Sequence, residues 1–143
     1  MRTPWKQIGI GYLILVAVAL FWTGPIWLKM WHERSLAIGA FQSYATALSR
    51  GDYQTAYSYF AEEVKGSVPI DSFVNQQKVL AARFGPLSAV SRQGVDIEGG
   101  GSPIVWVVHL QADHHYVKRA VRFGYGWHRE NGRWVLWSYN QLN

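Results

Sequence analysis

The 143-residue chain has no cysteine, which excludes a disulfide scaffold and any thiolate metal site. Charge is also scarce. Asp, Glu, Lys and Arg make up 16% of residues, and 9 acids stand against 14 bases, a formal net charge of +5. With aromatics at 15%, that poverty of charge excludes an intrinsically disordered chain. Low-complexity tracts are missing apart from a Gly99-Gly100-Gly101 turn, and no internal repeat is present, so solenoids and arrays are excluded. What is present is a long uncharged run, from Gln7 to Leu28. It leaves about 115 residues, enough for one small domain and too few for two.

Residues 8–28 are apolar enough to cross a bilayer, since roughly 20 residues at ~1.5 Å rise span a ~30 Å hydrocarbon core. Trp5 and Lys6 on one side, and Trp27, Lys29 and Trp31 on the other, read as membrane-interface residues, because indoles and snorkelling cations favour the headgroup level. Gly24-Pro25 is expected to kink the helix or thin its last turn. A cleaved signal peptide with an Ala17-Val18-Ala19 processing site is the rival reading. The apolar run continues for nine residues beyond Ala19, which favours an uncleaved anchor. Basic residues flank the span almost equally. A short N-terminal tail of a signal anchor stays inside, so the expectation is a single-pass protein of the inner or plasma membrane with an extracytoplasmic C-terminal domain. The expected organisation is a tail at 1–7, a transmembrane helix at 8–28, a juxtamembrane linker at 29–34 and a globular domain at 35–143.

In the remainder the hydrophobic period is first helical. Ala37, Phe41, Tyr44 and Leu48 form one stripe; Gly51 suits a helix C′ position and Asp52 an N-cap. Tyr53, Ala56, Tyr57 and Phe60 form a second, shorter stripe. Phe73, Gln77, Leu80, Ala81 and Phe84 form a third, capped by Asp71 and ended by Gly85-Pro86. From Leu87 onward the period is two. Trp106, Val108 and Leu110 oppose Val105, Val107 and His109, Asp113-His114 reads as a turn, and Asn131-Gly132 is a type I′ hairpin signal. Three helices followed by about four antiparallel strands indicate an α+β domain, helices packed on one face of a curved sheet.

Several stretches carry a family resemblance: residues 41–57 with their central Gly51-Asp52, Asp71-Ser72-Phe73, Ala82 to Pro86, and Glu130 to Trp137. Over about residues 35–142 the chain resembles the NTF2-like (cystatin-like cone) superfamily, in particular its small membrane-anchored bacterial members. The resemblance implies a fold and leaves function open, because that superfamily hosts enzymes, transport factors and assembly subunits. Its isomerases and dehydratases place an Asp or His base and a Tyr or Asp donor inside the cone. Here Asp96 and Glu98 alternate toward solvent, so no acid–base pair is expected.

Tyr44, Tyr57, Trp106, Phe123 and Tyr125 are candidates to line a ligand pocket, with Arg119, the one charge interrupting an apolar row, as an anion anchor. The simpler reading is that these aromatics are core and the Arg119 head reaches water. Asp113-His114-His115 is an unpromising metal site, because adjacent strand residues face opposite ways. Five bases and one acid fall between Lys118 and Arg133, so Lys118, Arg122 and Arg133 could form a basic strip. A membrane anchor argues against nucleic acid as its partner and for anionic headgroups or an acidic protein surface. The expectation is therefore a non-enzymatic accessory or assembly subunit of a membrane complex. It takes no cofactor or metal, has the bilayer and another protein as partners, and can form a homodimer through its sheet. A cone binding or acting on a small apolar or anionic ligand is the alternative.

Overall fold

In a computed structural model, backbone is described for residues 5–142 and side chains for residues 12–142. The chain divides into two compact units, Met1–Glu33 and Arg34–Asn143. The elements are α1 (Trp5–Ser49), α2 (Tyr53–Ser58), α3 (Glu62–Ser67), α4 (Ile70–Phe84), β1 (Leu87–Gly100), β2 (Val105–Tyr116), β3 (Ala120–Glu130) and β4 (Arg133–Gln141).

In the first unit, α1 is long and apolar enough to cross a membrane, and its apolar window has no residue buried inside the protein. Trp27, Lys29 and Trp31 are exposed, whereas Trp5 and Lys6 have side chains outside the described residues. Helix is assigned straight through Pro25, whose missing N–H removes one hydrogen bond from the ladder. Residues 29–34, the expected linker, are helical, within a 45-residue element. Lys29-Met30-Trp31-His32-Glu33-Arg34 contains no helix breaker, and a run of polar residues ends hydrophobicity without ending a helix.

The second unit is an antiparallel four-stranded sheet in the order β1-β2-β3-β4, with helices beside it. Gly51 has φ +72° and Asp52 Oδ1 accepts the Thr55 N–H at 3.1 Å, so the chain stops α1 and restarts at α2 as the residues dictate. The cap of α4 is Pro69 and not Asp71, which lies in the first turn instead. Helix α3 was not expected. Its Glu62-Glu63-Val64-Lys65-Gly66-Ser67 carries no apolar stripe and no buried residue. Asn131 at φ 50° and Gly132 at φ 80° make the tight β3–β4 turn.

The inner face of the sheet carries Trp106, Val108, Leu110 and Ala112 from β2 and Phe123, Tyr125 and Trp127 from β3, all buried. The rings of Phe41 and Tyr44 from α1 pack on Tyr125 and Trp127 with centroids 5.5–6.4 Å apart. Phe60 packs edge-to-face on Phe73 at 5.0 Å and tilted on Tyr139 at 5.5 Å. Edge-to-face and tilted contacts of this kind add to the burial of large apolar rings. The two edges of the sheet differ. On β4, the Leu136 N–H donates to the Tyr59 carbonyl at 2.7 Å and the Leu136 carbonyl accepts from the Ala61 N–H at 2.8 Å, so a loop covers that edge.

Candidate functional site

Strand β2 extends through Asp113, His114 and His115 to Tyr116, so the expected turn at Asp113-His114 is corrected; the chain reverses at Val117–Arg119. Period two then carries the inward row Trp106, Val108, Leu110, Ala112 on to His114 and Tyr116, all of them buried. His114 is the functional-type residue that composition hides and alternation would find. Its ring lies 4.4 Å from Phe123 and 6.2 Å from Tyr116. Nε2 is hydrogen-bonded to the Tyr125 hydroxyl, which is in turn hydrogen-bonded to Tyr44. Nδ1 is buried with no hydrogen-bond partner.

This buried His114–Tyr125–Tyr44 chain has one electrostatic cause throughout. Burial disfavours the charged form of each group. The His114 imidazole falls from 6.5 to about 4, and the Tyr44 and Tyr125 phenols rise well above 10. Tyr116 is pushed up to about 12, again by burial. All four are therefore neutral around pH 7.

The expected pocket residues do not converge on a common cavity. Tyr44, Phe123 and Tyr125 are core. Trp106 lies over Gly99 of β1, where a Cβ would sit 2.5 Å from its ring. The Tyr57 hydroxyl donates to the Val68 carbonyl at 2.8 Å, tying α2 to the end of α3. Arg119 is exposed in the β2–β3 turn, its guanidinium 5.9 Å from the Phe84 ring centre, and does not interrupt the inner face. The expected row fails there because Val117–Arg119 is turn, so alternation restarts at Ala120.

The three residues of the expected basic strip are spread along the length of β3. Lys118 precedes β3 and Arg133 follows it, at opposite ends of an 11-residue strand, which spans roughly 35 Å. Arg122 is taken by Asp113, its Nε and Nη2 donating to the carboxylate at 2.7 and 3.0 Å. That pair holds the Asp113 carboxyl below its usual range.

On the outer face, Trp137 is 42% exposed and stacks on His128 at 6.2 Å and 11°. Tyr139, two residues further along β4, faces the helices, and its hydroxyl donates to Gln76 Oε1 at 2.7 Å. The separation comes from a bulge in β3–β4 pairing between Gly126 and Trp127, which shifts alternation by one residue. His115 also faces outward, 2.7 Å from Ser91 Oγ across the β1–β2 ladder. Among the described residues no three His, Asp or Glu side chains are grouped as a metal site. Glu33 is the one buried acid among them. No protein-family model matches the chain, and no curated protein does.

Proposed function

We propose that the chain is a non-enzymatic, single-pass membrane protein whose NTF2-like domain acts as an accessory or assembly subunit of a larger membrane complex. One observation carries the non-enzymatic half. The buried polar chain on the inner face, His114–Tyr125–Tyr44, is enclosed by rings and electrostatically displaced from neutral pH. A general acid or base works best with a pKa near the operating pH, whereas here the base sits near 4 and the phenols above 10.

The anchoring half is supported by α1, whose apolar stretch is left exposed by the rest of the protein. Burying such a surface in lipid gains roughly 25 cal/mol per Å². In this reading residues 8–28 cross the inner or plasma membrane and the domain lies outside the cytoplasm. The exposed Trp137, stacked on His128, is the kind of aromatic anchor that interfaces use. Its partner is a second protein of the same membrane. Extraction of the native membrane in mild detergent, followed by native electrophoresis, is expected to place the protein in a particle well above its own 16.3 kDa. Trp137→Ala should shift it to the monomer position. A wild-type protein that always migrates as a monomer would overturn the reading.

A further inference from the structure

A cavity of about 210 Å³ lies where the end of α1, α4 and the start of β1 meet Tyr116. It does not touch His114, and it owes nothing to the accessory-subunit reading. Its interior is unlike the aromatic core. Gln77 sits in the buried stripe of α4 one turn after Phe73, in a position that helical periodicity reserves for an apolar side chain. It is 7% exposed, and among the described residues its amide makes no hydrogen bond. Tyr116, also a lining residue, has a buried hydroxyl with no partner. A buried hydroxyl left unbonded carries a desolvation cost, so a polar group seated in the cavity at the Tyr116 hydroxyl would offset it.

Charge selects between ligands. Arg50 is the one charged residue among those lining the cavity, and no carboxylate among the described residues lies within ion-pair distance of it. Leu48, Pro86 and Leu87 supply apolar wall. The volume corresponds to about seven waters and falls below the ~300–1,000 Å³ of drug-sized sites. We propose that the cavity binds a small monocarboxylate with an apolar body, its charge met by Arg50, its oxygen by the Gln77 amide and its body by Leu48, Pro86 and Leu87.

The test uses the full-length protein in detergent micelles, with benzoate and hexanoate as probes and saturation-transfer NMR as readout. Saturable binding is expected, with each probe displacing the other. Arg50→Gln and Gln77→Leu should each weaken it by about tenfold, the loss of one charge-assisted or buried hydrogen bond. Arg50 is exposed, and Gln77→Leu places an apolar side chain in the buried stripe of α4, so both variants are expected to fold with an unfolding midpoint no lower than that of the wild type. Partition of the probe into micelles is the same for every variant, so the difference isolates the site. Benzamide, neutral and of the same shape, should bind about tenfold more weakly than benzoate. Absence of saturable binding up to millimolar concentration, or equal binding by either variant, overturns the proposal. So does equal binding of benzamide, which would remove the carboxylate from it.

Discussion

His114 shows how a single residue can set the acid limit of a fold. Its imidazole is buried against Phe123 and bonded to Tyr125, and burial lowers it from 6.5 to about 4. Above pH 6.5 neither the folded nor the unfolded chain protonates it. Between 6.5 and about 4 only the unfolded chain takes up the proton, so folding stability declines as pH falls through that window. The span of about 2.5 units corresponds to roughly 3 kcal/mol. Asp113 works lower: its carboxyl is depressed by Arg122, so its contribution is present above 3.8 and lost as pH falls through the depressed value. Urea unfolding of wild type and His114→Phe at pH values across the window measures the effect. The wild type should lose stability toward acid, and the variant should lose markedly less between pH 6.5 and about 4. The residue was legible in principle. His114 stands two positions from Ala112 and two from Tyr116 in an alternating row, but the polar cluster Asp113-His114-His115 has the composition of a loop. What no local pattern contains is its partner, because Tyr125 arrives through the β2–β3 register.

At the scale of elements, what was legible follows signals that act within a few residues. The Gly51-Asp52 stop and restart, the Asn131-Gly132 turn and the inward rows of β2 and β3 all stand as the residues imply. Three features escaped for separate physical reasons. α3 has no stripe; residues 29–34 change polarity without changing conformation; and the β3–β4 bulge belongs to a pair of strands. The bulge matters most for the proposed function, because it puts Trp137 outside and Tyr139 inside. Gly126 makes it possible. A Cβ there would lie 2.5 Å from Ser138 Oγ and 2.7 Å from Trp137 Nε1. Gly126→Ala is therefore expected to destabilise the domain by about 1–3 kcal/mol, the usual cost of overpacking. In a Trp137→Ala background the same substitution should cost less, since one of the two obstacles is gone. Thermal unfolding of the four proteins of that cycle checks it, and an additive cycle would mean that Trp137 does not lie on Gly126.

The whole molecule combines two solvents in one short chain. The second unit packs its rings inward and blunts its edges, covering β4 with residues 59–61 and breaking β1 with irregularities at Leu87/Ala89 and Arg92/Gly94. The first unit does the reverse and leaves Leu13, Leu15, Leu20 and Phe21 exposed. Those two arrangements explain why a nearly neutral mean hydropathy describes neither part. If the exposed helix is a membrane span, its centre must tolerate no charge. Val16→Lys and Leu20→Lys lie four residues apart, on one face of the helix and near the middle of residues 8–28. Each lysine costs about 2.5–3.5 kcal/mol at a span centre, so the pair costs more than ~5 kcal/mol. In expressing cells the doubly substituted protein should be extracted from membranes by alkaline carbonate, while the wild type stays in the pellet. The substitutions touch none of the buried rings of the second unit, so the domain should still fold and resist protease. Carbonate resistance that survives both lysines would mean that the helix is held by protein contacts and not by lipid.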